Sequence, residues 1–224
     1  MPSEEKLEAA VEFAENPEPR CPCVLLLDTS GSMEGEPIAA LNEGLQAFKD
    51  ELVKDPLASK RVEVAIVTFG GAIQLVQDFV TADQFTPPTL TASGLTPMGA
   101  AIHKALDMIQ ERKAEYKANG ITYYRPWVFM ITDGEPQGEE DSVVEAAAKR
   151  VKDDEASKRV AFFAVGVEGA DTERLSQIIV RTPVKLRGLN FVEMFIWLSR
   201  STQAVAHSKV DEQVALPPPG WGTV

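Results

Sequence analysis

Asp28, Thr29, Ser30, Gly31 and Ser32 follow directly on the apolar run "CVLLL" at 23–27. Residues i, i+2 and i+4 of an extended or tightly turning segment project to one side, so Asp28, Ser30 and Ser32 can converge on one point. Gly31 leaves the backbone between the serines free to bend. Two later positions carry the same chemistry. Thr96, in "GLTPMGAA", stands just before a predicted helix, and Asp133, in "ITDGEP", ends another apolar run. Two carboxylates and three hydroxyls, with no His or Cys among them, form a hard all-oxygen donor set. Mg²⁺ or Mn²⁺ is the expected occupant, with Ca²⁺ less favoured. So few protein ligands leave positions for water, and an incoming carboxylate or phosphate could take one.

Each of these residues also has a plainer use. Asp28, Ser30 and Ser32 could cap the following helix, Thr96 the helix after Pro97, and Asp133 could form a turn with Gly134. Thr91 and Ser93 compete with Thr96 but lie further from the helix start. Coincidence of all three segments in one crevice favours the cation, which depends on how the elements run.

The runs 23–27, 62–70, 127–132 and 160–167 are apolar and β-branched, as strands covered on both faces require. Gly70-Gly71 separates 62–70 from 72–80 and signals a hairpin; Gln74 and Gln77 place the second strand at a sheet edge. Ile38, Leu41, Leu45, Phe48 and Leu52 repeat at helical spacing, with Pro37 in the first turn. Further helices are predicted from about 98 to Asn119-Gly120, over 141–156, 172–180 and 191–208, with a weak strand at 183–187. This alternation predicts an α/β fold: a doubly wound, mostly parallel sheet with one antiparallel edge strand and helices on both faces. Ligands of such sheets bind beyond the carboxyl ends of the strands, where strand order reverses. If the first and fourth strands flank that reversal, Asp28 and Asp133 share the crevice, and Thr96 leads into the helix beside it.

Residues 1–20 read as a loose or helical arm, 21–209 as one domain, and 210–224 as a Pro-rich tail with Trp221 packed back or free. A net charge of −12 disfavours nucleic acid, whose binding leans on Lys and Arg. The acidic N-terminus lacks a signal-peptide pattern, and no run approaches a membrane span, so a cytoplasmic protein without membrane association is expected. Cys21 and Cys23 are too close to pair readily with each other and lack a second ligand pair for zinc; core packing is expected. His103 and His207 fall on predicted helices with no evident acid or nucleophile, and read as surface or satisfied histidines. Phe195 and Trp197 read as core.

The pattern Asp28-x-Ser30-x-Ser32, then Thr96 in "GLTPMG", then Asp133 in "ITDG", resembles the metal-ion-dependent adhesion site of von Willebrand factor A domains. The resemblance spans about 22–209. It implies a Rossmann-like fold and a divalent cation held by these five residues. It further implies that the serines and threonine touch the metal in some states while the aspartates act directly or through water. A partner protein's Asp or Glu carboxylate would supply the last ligand, making the chain a docking module and not a catalyst. Within the family, "PCVLLLDTSGSMEGEPI", "TASGLTPMGAAI", "FFAVGV" and "FVEMFIWLSRS" are similar to stand-alone bacterial proteins of the tellurium-resistance type. That likeness implies a place in kinase- and phosphatase-linked stress systems. The alternative is a Mg²⁺-dependent hydrolase or phosphoryl-transfer enzyme in the same crevice. Against it, Ser30 stands where haloacid-dehalogenase-type chemistry wants a second Asp, and there is neither a P-loop nor a GxSxG elbow.

Overall fold

The computed structural model describes residues 4–223. Seven strands form one sheet in the order β3-β2-β1-β4-β5-β6-β7. They are β1 (Cys21–Asp28), β2 (Val62–Gly70), β3 (Ala72–Thr81), β4 (Trp127–Thr132), β5 (Ala161–Gly166), β6 (Val184–Leu186) and β7 (Gly222–Thr223). β2, β1, β4, β5 and β6 run parallel; β3 is antiparallel to β2. The two-residue β7, from the tail, adds a second antiparallel edge that the sequence pattern had not suggested.

The continuous apolar runs exist because the sheet has a core on each face. Leu25 and Leu27 point into a cluster shared with α2 (Glu36–Leu52) and α7 (Phe191–His207), whereas Val24 and Leu26 point into the other. That second layer is built by α4 (Met98–Ala118), α5 (Asp141–Ala156) and α6 (Thr172–Ile178). Gly44 lets α2 and α7 approach, since a Cβ there would lie 2.6 Å from the Phe195 ring. Cys21 and Cys23 are free and fully buried in the first core. Trp221 is packed back, edge-on to Trp197 at 5.6 Å between ring centroids.

The N-terminal arm is helical over α1 (Glu4–Glu15), and a short α3 (Ala58–Arg61), absent from the sequence reading, precedes β2. Phe13 of α1 sits edge-on to Tyr116. Beneath it lies a buried charge cluster. Glu63 accepts from Arg20 Nε at 2.8 Å, Arg112 Nε and Nη2 at 2.9 Å each, and the Tyr116 hydroxyl. Arg20 and Glu63 are both fully buried. No helix among the described residues is long and apolar enough to cross a membrane.

Candidate metal centre

β1 has β2 on one side and β4 on the other, so strand order reverses between β1 and β4. The parallel register sets Leu27 beside Ile131, which brings Asp28 and Thr132 to the same carboxyl edge. There the Thr132 hydroxyl donates to Asp28 Oδ2 at 2.6 Å, and the Ser30 amide donates to Asp28 Oδ1 at 2.8 Å. The Ser30 and Ser32 hydroxyl oxygens are 3.0 Å apart, and the Ser32 hydroxyl donates to Asp133 Oδ1 at 2.9 Å. Four of the five expected residues are thus joined through one hydrogen-bonded chain. Thr96 makes no hydrogen bond to those four among the described residues. It is nonetheless adjacent: a Cβ on Gly134 would lie 3.9 Å from its hydroxyl oxygen, and its carbonyl accepts from Gln137 N–H at 2.8 Å.

The capping alternatives do not describe these residues. Neither the 3-10 turn at Gly31–Met33 nor α2 receives a side-chain cap. The start of α4 is capped by Glu139, whose two carboxylate oxygens accept from Gly99 and Ala100 N–H at 2.7 and 3.0 Å. Glu139, four residues past Glu135 and on a different loop from α4, carried no local signal for this role. The part given to Gly31 is corrected too. Its φ is ordinary, and its N–H donates to Gly94 O at 2.9 Å. The loop's demanding glycines are Gly94, at φ +78°, and Gly70, where a Cβ would lie 2.1 Å from the Thr29 carbonyl oxygen.

Burial pushes the Asp28 carboxyl up. Hydrogen bonds from Ser30 and Thr132 oppose this, and the nearby charge of Asp133 adds to it. Asp133 is also raised by burial, against the Ser32 hydrogen bond. Among the described residues no Lys, Arg or His forms an ion pair with either carboxylate. Two desolvated carboxylates without a basic partner lack a positive charge that would favour their ionised forms. The spacing fits such a charge. The 3.0 and 2.9 Å separations around Ser32 are those of hydrogen bonds, and they bring these oxygens close enough together for one cation to touch them. Among the described residues no three His, Cys, Asp or Glu converge as a ready cage, so a cation held here would also need hydroxyl ligands.

Thr132, whose hydroxyl holds Asp28, is a site neighbour that the sequence pattern did not announce. Its signal was a hydroxyl in the last position of an otherwise apolar strand. The histidines lie elsewhere: His103 contacts Arg150, and His207 pairs with Asp55 at 2.6 Å, an acid the sequence had not linked to it.

The profile of the von Willebrand factor type A domain matches residues 23–191. No curated protein matches the chain. Among solved structures, the pilus adhesin SpaC from Lactobacillus rhamnosus GG in its open conformation is similar, with TM-score 0.66 at 15% identity over 84% of this chain and 30% of its own. The ArnB paralog VWA2 from Sulfolobus acidocaldarius gives 0.51 at 16% identity, over 82% and 45%. Proximal thread matrix protein 1 from the mussel byssus, with a zinc-occupied MIDAS motif, gives 0.50 at 15% identity, over 83% and 48%. The chain spans less than half the length of each of these three. At such identities the likeness is one of fold.

Proposed function

The chain belongs to the von Willebrand factor type A domain family, and from that premise we propose that it is a metal-dependent docking module. Asp28, Ser30, Ser32, Thr96 and Asp133 hold one divalent cation, Mg²⁺ or Mn²⁺ before Ca²⁺. A carboxylate from a partner's Asp or Glu completes its coordination sphere. The cation supplies an electrophilic coordination position. The protein orients the donors around it, with Thr132 and the Ser30 amide fixing the Asp28 carboxylate.

The observation that carries this reading is the pair of partly desolvated carboxylates, without a basic partner among the described residues, linked to one another through Ser30 and Ser32. Two carboxylates balance one dication, and the few protein donors leave room for a partner's charge. For hydrolysis or phosphoryl transfer the crevice would need a general base; the histidines pair with Arg150 and Asp55 away from it. The likeness of the quoted segments to tellurium-resistance-type proteins supports a role in a stress-signalling system of that type.

Calorimetric titration of chelator-treated protein with Mg²⁺ and Mn²⁺ tests the site. One cation per chain is expected, with loss of binding in Asp28→Ala and Asp133→Ala and at least tenfold weakening in Ser32→Ala. Equal binding by all four proteins would sink the reading.

A further inference from the structure

Beside the cation site, on the α2 side of the sheet, lies a cavity of about 190 Å³. Its polar lining comes from Thr29, Thr68, Gln74, Thr89, Thr91 and Ser93, with no charged residue. Thr29 and Thr68 are only 7% and 4% exposed. Neither hydroxyl makes a hydrogen bond among the described residues, and neither is sealed from solvent, so both are free to bind a polar group that enters this space.

The cavity is built, not incidental. The Asn42 side chain clamps the 89–93 loop by donating to Leu90 O at 3.0 Å and accepting from Leu90 N–H at 2.8 Å. Ser93 N–H donates to Thr29 O at 2.7 Å, locking the loop to the segment that carries the site. Thr29 lies between Asp28 and Ser30, and Ser93 is three residues before Thr96. Cavity and cation site therefore share both loops.

We propose that this cavity is a second subsite for the same partner, receiving the carboxamide of an Asn or Gln close in sequence to the partner's acidic residue. The proposal rests on the cation-site reading for its partner, though the cavity's chemistry stands independently. Hydroxyls both donate and accept, as a carboxamide does, so the two sets of groups satisfy one another. A charged group would be desolvated there with no counter-charge. An apolar one would leave the Thr29 and Thr68 hydroxyls unpaired. At ~30 Å³ per water in the liquid, the volume suits the five or so heavy atoms of one such side chain. The subsite would make the module selective for an acidic residue flanked by an amide, beyond the carboxylate alone.

The test uses the full chain with ¹³C-labelled threonine methyls, titrated with propionamide as the side-chain probe and propionate as control. Propionamide is expected to give saturable shifts at Thr29 and Thr68 with or without Mg²⁺. Thr68→Val, which keeps the shape, is expected to weaken it about fivefold, the loss of one neutral hydrogen bond. The remaining methyl signals report that the variant is folded. Silent Thr29 and Thr68 methyls, equal shifts with propionate, or an unaltered response in Thr68→Val would overturn the subsite. Mg²⁺ separately is expected to move the Thr96 methyl. Failure of that signal alone would count against the cation site and leave the subsite standing.

Discussion

Replacing Glu63 with Gln exchanges one carboxylate oxygen for an NH₂ group and changes almost no volume, yet it should be among the most damaging single substitutions in the chain. Glu63 is fully buried, and its carboxylate receives four donors, from Arg20, Arg112 and Tyr116. Glu63→Gln leaves two guanidinium groups beside a neutral amide whose own N–H₂ must face some of those donors. Breaking a buried pair by removing one charge costs about 3–5 kcal/mol. For a chain of this size that lowers Tm by about 6–20 °C. Glu12→Ala removes a half-exposed partner of the same Arg112 and should cost under ~1 kcal/mol. Urea and thermal unfolding of the two variants measure the contrast. The cluster lies at the amino end of β2, six residues or about 20 Å along the strand from the site edge. Mg²⁺ titration of folded Glu63→Gln should therefore match the wild type. A stability loss no larger than that of Glu12→Ala would refute the reasoning.

Other outcomes follow from the same geometry. Burial, and secondarily the Glu63 charge, pushes the Cys21 thiol up to about 12, and burial beside Cys21 raises Cys23 as well. The folded state thus holds protons that the unfolded chain releases near its ordinary thiol pKa. The thiols' contribution is complete below the ordinary thiol pKa and is lost as pH rises above it, approaching about 1.4 kcal/mol per pH unit per thiol. Denaturant unfolding between pH 8.5 and 10.5 measures the slope, and Cys23→Ala should shed one thiol's share. Gly70→Ala forces the Thr29 carbonyl to move, because the new Cβ would lie 2.1 Å from it. It should lower Mg²⁺ affinity at least tenfold by displacing the Asp28–Ser32 loop, read by the same titration. The Trp221 indole N–H is buried without a partner among the described residues, so Trp221→Phe should be neutral or stabilising whereas Trp221→Ala costs about 3–5 kcal/mol, measured by thermal unfolding.

Much of the sheet could be read from the chain because each central strand is a short run in which every residue meets a core. "CVLLL" and "WVFMIT" have no other stable use once both faces are covered. The adjacency of β1 and β4 followed from helical crossovers on opposite faces, and it brought Asp28 and Asp133 to one edge. What escaped was held by contacts remote in sequence. Glu63 interrupts a β-branched strand, but nothing nearby announces Arg20, Arg112 and Tyr116 as its partners. Glu139 caps a helix that begins some forty residues earlier. The tail's β7 is two residues long, too short for any period to show, and is set by Trp221 packing on Trp197. Thr132 hid because a hydroxyl at a strand end is equally at home in a sheet.

The central claim is a single cation held by Asp28, Ser30, Ser32, Thr96 and Asp133 with a position open to a foreign carboxylate. Pulsed electron paramagnetic resonance of the Mn²⁺-loaded protein, with ¹³C-carboxylate acetate added, reads that position directly. One class of bound Mn²⁺ is expected, with a ¹³C coupling at inner-sphere strength when acetate is added and no bound Mn²⁺ signal in Asp28→Ala. Site-bound Mn²⁺ that retains all its waters and shows no ¹³C coupling at saturating acetate, or an unchanged signal in Asp28→Ala, would contradict it.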